Sequence, residues 1–242
     1  MDLTAALDIF SPHPPRRIIT LLNSNDLSTF FSKNAGIIQY LVELFVYTNP
    51  LTTINFIDNL RPFVNLKVLG IQTFRIEIPE QYLRTIFASC PDLEYLMLKG
   101  YDFIPDGLPF PDTKLKYLGV DTFDAVIPKL IRASQLQGIL LYTSYYSNDL
   151  IDSIKNSPLR FLYFPDPLVA RDKNMLESVA INNPNLVEIG VGYYRHVIFT
   201  VEKNKCGPWS AETHHKFPIY FRSQVREILR GVINIMDCYC CC

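Results

Sequence analysis

Hydrophobic and polar positions recur along this chain in one phrase: Leu, two residues, Leu or Ile, one residue, then an aliphatic residue or Phe. It begins at Leu41, Leu66, Leu93, Leu115, Leu136, Leu159 and Leu186, at intervals of 25, 27, 22, 21, 23 and 27 residues. One further match, Leu51 to Phe56, falls off that spacing. Within each phrase the second and third apolar residues stand two apart, as Leu96 and Leu98 do in DLEYLMLKG. They therefore share one face of a short strand. The spacing predicts parallel strands in chain order, with Leu69, Leu96, Leu118, Ile139, Leu162 and Ile189 stacked in one buried column.

Between the phrases the pattern changes to that of helices. PEQYLRTIFAS opens with Pro79, suited to a first helical position, and turns Leu83, Ile86 and Phe87 to one side. NDLIDSIKN starts at Asn148 and DKNMLESVAIN at Asp172, both residue types that cap helix N-termini. SCPDL, NSPL and NNPNL then end these segments, because proline disfavours helix at the residue before it. A strand–helix unit recurring every ~20 to 29 residues is the signature of leucine-rich repeats. The expected fold class is α/β: a leucine-rich repeat solenoid, or horseshoe, with a parallel β-sheet on the concave face and short helices on the convex face. The domain plan is a lead-in and capping segment over 1–40 and about seven repeats over 41–192. A loop and capping helix over 193–236 and a Cys-rich tail over 237–242 follow.

The stretch from roughly residue 16 to 192 resembles the irregular leucine-rich repeat region of fungal F-box-type proteins. PPRRIITLLNSNDLSTFFSKNAGIIQYLVELFV resembles the start of such an array. The resemblance implies a non-catalytic module that recognises proteins as substrates for an F-box-type ubiquitin ligase. In that family an upstream F-box docks onto a cullin-type ligase adaptor. The chain starts too late to hold an F-box before Pro14, so adaptor binding is expected only where one is supplied upstream. A second departure lies eight residues after each first Leu, where many leucine-rich repeats place Asn or Cys. Asn49 fits; the other positions hold Phe74, Tyr101, Phe123, Ser144, Pro167 and Tyr194. Four aromatics in that column predict an apolar spine within the core.

Composition acts mainly by exclusion. A net charge of −1 supplies no overall field for nucleic acid or an acidic membrane, and the 10 glycines form no phosphate-cradling pattern. MDLTAALDIFSPHPP has neither the basic start nor the apolar core of a secretory signal, and no apolar run is long enough to span a bilayer. Reduced thiols in the cytoplasm or nucleus are therefore expected. No G-x-S-x-G, H-E-x-x-H or kinase motif accompanies His13, His196, His214 and His215. No catalytic residue and no cofactor is expected, and the protein is read as a non-enzyme. Cys238 and Cys241 form a C-x-x-C that Cys206, His214 or His215 would have to complete as a zinc site. A plain cysteine tail without metal is the expectation.

In FPIYFRSQVREILRGVINIM, Phe221, Val225, Ile228, Leu229, Val232 and Met236 recur at helical spacing beside a line of Arg222, Arg226 and Arg230. Such a helix caps the open end of an array. The alternative is a membrane-tethered adaptor, with this amphipathic helix on the bilayer surface and CYCCC lipidated.

The strand positions facing away from the core carry the main functional expectation. They run Glu43, Phe45, Tyr47; then Tyr95, Met97, Lys99; then Tyr117, Gly119, Asp121; then Leu140, Tyr142; then Phe161, Tyr163. Outward columns are mostly polar, whereas Tyr, Phe and Met are enriched where proteins meet. Phe45, Tyr47, Tyr95, Met97, Tyr117, Tyr142, Phe161 and Tyr163 are thus the expected contacts for a protein partner on the concave face. Two readings of this stripe stand open: a partner covers it, or residues 193 to 216 of the same chain fold across it.

Overall fold

Each phrase forms a strand, and the strands lie side by side in chain order. The computed structural model of the protein describes residues 17–22, 27–121, 125–141, 147–164, 173–186, 188–191, 199–202 and 210–212. Strands β1 (Arg17–Leu22), β2 (Glu43–Thr48), β3 (Val68–Pro79), β4 (Tyr95–Ile104), β5 (Tyr117–Val120), β6 (Gly138–Leu141), β7 (Phe161–Phe164) and β8 (Glu188–Val191) are parallel neighbours. β9 (Phe199–Glu202) and β10 (Ser210–Glu212) add two antiparallel strands beyond β8. Helices α1 (Leu27–Asn34), α2 (Pro50–Asp58), α3 (Gln81–Ser89), α4 (Val126–Ala133), α5 (Asn148–Lys155) and α6 (Lys173–Asn182) fall between strands. The protein is α/β, with a parallel sheet and helices. No helix among the described residues is long and apolar enough to cross a membrane.

The register places leucine or isoleucine over itself at every step. Leu44, Leu69, Leu96, Leu118, Ile139, Leu162 and Ile189 are paired in sequence from β2 to β8, and none is more than 2% exposed. These residues share one core with Phe56 and Ile57 of α2, Leu83 and Ile86 of α3, Leu130 of α4, Ile154 of α5 and Val179 of α6. The helices therefore cover this face. A repeated backbone contact holds the stack. The Val42 carbonyl accepts from the N–H groups of Lys67 and Val68, Lys67 from Glu94 and Tyr95, and Glu94 from Lys116 and Tyr117, all at 2.8–3.0 Å. Lys116 and Gln137 continue the series into β6 and β7. Each new turn thus starts over the equivalent carbonyl of the last, which fixes the register.

Several expectations need correction. Pro79 is the last residue of β3, opposite Ile104, and α3 begins two residues later. There the Glu80 N–H donates to the Ile104 carbonyl at 3.0 Å, so the strand pairing runs past the proline. The cap of α5 is Ser147, whose hydroxyl accepts from Leu150 N–H at 3.2 Å, with Asn148 as the first helical residue. The stray match at Leu51 is helical: Pro50 opens α2 and the Asn49 side chain caps it, accepting from Thr52 N–H at 2.9 Å. Sequence spacing also passed over β1, because Pro15 stands where the phrase requires Leu. Within 193–236, expected as loop and helix, β9 and β10 lengthen the sheet.

The aromatic spine fails at Phe74, which is 77% exposed, whereas Tyr101 in the same column is 1% exposed. The cause is an irregularity between Gln72 and Ile76, after which β3 and β4 resume pairing with Ile76 opposite Tyr101. Phe74 sits in the extra residues and loses its place in the core. Phe123, Ser144, Pro167 and Tyr194 lie outside the described residues. Gly100, at φ 88°, makes the irregularity feasible: a Cβ there would stand 2.2 Å from the Thr73 carbonyl oxygen. Beyond the extended pairing, a proline-rich loop replaces the helix between β4 and β5. Arg84 of α3 straps that loop, donating to the carbonyls of Leu108 and Pro109 while pairing with buried Glu80. Lys129 of α4 reaches the same carboxylate at 3.0 Å.

Candidate functional site

The sheet face opposite the helices is built from three rows running across the strands. The outer row is Glu43, Val68, Tyr95, Tyr117, Gly138, Phe161 and Glu188. The middle row is Phe45, Gly70, Met97, Gly119, Leu140, Tyr163 and Gly190. The third, toward the strand C-termini, is Tyr47, Gln72 and Lys99, with Asp121 following β5. The expected contact residues are therefore brought to one face, apart from Tyr142, which lies outside the described residues.

Their exposure is uneven along the stripe. Phe45 is 1% exposed, Met97 5%, Tyr163 6% and Tyr47 8%. Tyr95, Tyr117 and Phe161 are half-buried. The middle row owes part of this closure to its glycines. A Cβ on Gly70 would lie 2.5 Å from a ring carbon of Phe45, and one on Gly119 would lie 3.1 Å from Cγ of Met97. Phe45 thus folds over Gly70, while Met97 lies between two glycines. The sequence signal was present in LGI and LGV, where a scarce residue occupies the same phrase position. Its consequence depends on which bulky residue stands alongside.

The outer row is aromatic and ordered. Tyr95 and Tyr117 stack with ring centroids 4.5 Å apart and planes 8° from parallel. The Tyr117 hydroxyl reaches Gln137 Oε1 at 3.4 Å. Burial, and then the neighbouring Tyr117, push the Tyr95 phenol above its ordinary value, so that ring stays neutral over the physiological range. Two strands on, the Arg160 guanidinium lies 5.6 Å from the centre of the Phe161 ring. A charged rim borders this row. Glu94 pairs with Lys116 at 2.8 Å and Lys67 at 3.6 Å, and the hydrogen bond from Lys116 holds its carboxyl below the usual range.

The third row is polar. Gly100 N–H donates to Asp121 Oδ2 at 2.7 Å, and burial raises the Asp121 carboxyl while lowering the Lys99 ammonium. This carboxylate, directly after β5, ties that strand to the point in β4 that requires a glycine.

Among the described residues no group of three or more His, Cys, Asp or Glu is placed to hold a metal. The zinc candidates Cys206, His214, His215, Cys238 and Cys241 lie outside the described residues, as do the helical pattern from Phe221 to Met236 and the cysteine tail. The chain matches no protein-family model and no curated protein.

Proposed function

We propose that the protein is a leucine-rich repeat solenoid that recognises a protein partner on its concave face, with no chemistry of its own. The repeat reading is supported by seven phrases paired in register over a shared helix-covered core. The recognition reading rests on the stacked, half-buried Tyr95–Tyr117 pair. Two rings already held parallel lose little conformational freedom when a partner settles on them, and each keeps an apolar surface beside a hydroxyl. Phe161 with Arg160 extends the row, and the Lys67–Glu94–Lys116 rim supplies polar contacts beside it. Joined to an F-box, such a module presents its partner to a ubiquitin ligase.

The test is quantitative affinity purification with the full chain, Tyr95→Ala, Tyr117→Ala and Phe74→Ala. Each tyrosine change should weaken a genuine partner by ~1–3 kcal/mol. Phe74→Ala, on an exposed ring in the β3 irregularity, should retain it. A set of captured proteins equally reduced by all three variants, or by none, would refute recognition through this row.

A further inference from the structure

The segment that follows β4 takes its shape from proline. Residues 105–112, PDGLPFPD, belong to no helix or strand. Gly107, at φ 79°, turns the chain, and Pro109 and Pro111 then govern the backbone. Proline holds its own φ at about −65° and drives the residue before it, here Leu108 or Phe110, to extended values. Leu108 to Pro111 thus favour a turn of polyproline II, which has about three residues per turn. Leu108 and Pro111 then share one face, about 9 Å apart. Their surroundings divide the residues in the same way. Leu108 is 55% exposed, and Pro109 and Pro111 are exposed. Phe110 turns inward, its ring centre 6.0 Å from that of Phe87 in α3 and 5.1 Å from the Arg84 guanidinium. We infer that residues 108–111 form a second recognition surface, read by a protein domain whose aromatic-lined groove accepts polyproline II and carries a basic rim.

The backbone of this turn is held from within. Asp106 Oδ1 accepts from the Leu108 N–H at 3.0 Å. Arg84 donates to the Leu108 carbonyl at 2.8 Å and to the Pro109 carbonyl, and is itself anchored on buried Glu80, which Lys129 shares. An exposed apolar segment fixed in this way has little conformational freedom left to lose on binding. Its backbone chemistry also selects the mode of recognition. Pro109 and Pro111 have no N–H, and that of Leu108 is engaged by Asp106, so the segment cannot add as a strand to another sheet. A Leu-x-x-Pro face at polyproline spacing suits a groove lined by aromatic side chains. Charge then sets the rim of that groove. Asp112 is exposed directly after Pro111, and Asp106, 3.9 Å from Arg84, stands before Leu108. An acidic rim would bring like charge against Asp112. Phe87 and Phe110 pack against the helix-side core, so this surface lies across the sheet from the Tyr95–Tyr117 row and does not depend on it.

The test presents a panel of purified SH3 and WW domains, with acidic and with basic groove rims, to the full chain immobilised on a biosensor. Basic-rimmed members should bind saturably. Leu108→Ala and Pro111→Ala should each weaken that binding about fivefold or more, with thermal unfolding midpoints unchanged because both side chains are exposed. Ile104→Ala, on an exposed apolar residue ahead of the turn, should bind as the native chain does. Tyr95→Ala should also leave this binding intact, which separates it from recognition on the concave face. Binding by no domain, binding by acidic-rimmed domains alone, or binding that survives both Leu108→Ala and Pro111→Ala would overturn the inference. So would an equal loss in Ile104→Ala or Tyr95→Ala. A second measurement needs no variant: excess polyproline peptide should displace a bound domain from the native chain. A domain that stays bound would equally overturn the inference.

Discussion

The two faces of the sheet use alternate residues of the same strands and obey different rules. On the helix side, one column runs Leu44, Leu69, Leu96, Leu118, Ile139, Leu162, Ile189, nearly the same residue throughout. On the other side, the middle row runs Phe45, Gly70, Met97, Gly119, Leu140, Tyr163, with bulk alternating against glycine in its first four members. A position in the column meets the same surroundings in every turn, so one side-chain volume suits all of them. A position in the row is shaped by its two lateral neighbours, so its identity is set singly. Repetition marks the scaffold, and on the opposite face each position answers to its own lateral neighbours.

The largest effects should come from the column. Leu118→Ala is expected to destabilise by ~2–5 kcal/mol in denaturant unfolding, as for large-to-small changes at a closed site. An equal cost for Tyr117→Ala, its neighbour on the opposite face, would erase the distinction between the faces. Next comes the irregularity between β3 and β4. Gly100→Ala places a Cβ against backbone, so a cost of ~1–3 kcal/mol is expected from strain and forced displacement together. Gly107, at φ 79° with open space around its Cβ position, is the control. Gly107→Ala should cost about 1 kcal/mol for the backbone conformation alone. Equal losses would show that the Thr73 contact contributes nothing.

The outer row should sit lower in stability. Tyr117→Ala is expected to cost ~0.5–1.5 kcal/mol from the lost stack, with its larger effect on partner capture. The smallest effect belongs to the rim. Glu94 has a folded-state carboxyl below its unfolded value, chiefly through the Lys116 hydrogen bond. Its contribution is therefore present above about pH 4.3, the unfolded range, and disappears as pH falls through the depressed folded value. Glu94→Gln should lower stability by ~0.2–1 kcal/mol at pH 7 and by almost nothing near pH 2, with urea midpoints as the measure. A loss that persists at pH 2 would assign Glu94 a packing role instead.

The strands and the column were legible because the phrase encodes them locally. A leucine flanked at fixed offsets by further aliphatic residues carries its face with it. Caps were legible to within a residue: Ser147 precedes the expected Asn148, both being competent polar caps. The start of α3 was misplaced because Pro79 suits a strand terminus as well as a first helical turn. Phe74 was misassigned because counting eight residues from Leu66 assumes uninterrupted pairing, and the extra residues before Ile76 break it. Nothing within the sequence around Phe74 carries that information; it resides in Gly100 of the next strand and in the Asp121 carboxylate beyond it. At the candidate site, the chemistry of the face was readable and its exposure was not. Alternation assigns Phe45 and Met97 to the outward side, but whether they are open depends on neighbouring glycines and on what lies above.

The sequence by itself thus determined the strand order, the inward column and the aromatic character of the opposite face. Each follows from offsets of a few residues and the geometry of an extended backbone. Tertiary structure alone decided that Phe45 laps Gly70, that Tyr95 and Tyr117 stack, that Phe74 is expelled and that Glu80 is buried between Arg84 and Lys129. Apart from the Glu80–Arg84 pair, four positions apart, those outcomes join residues about twenty to fifty positions apart, where side-chain volume, ring orientation and charge meet only after the turns have stacked.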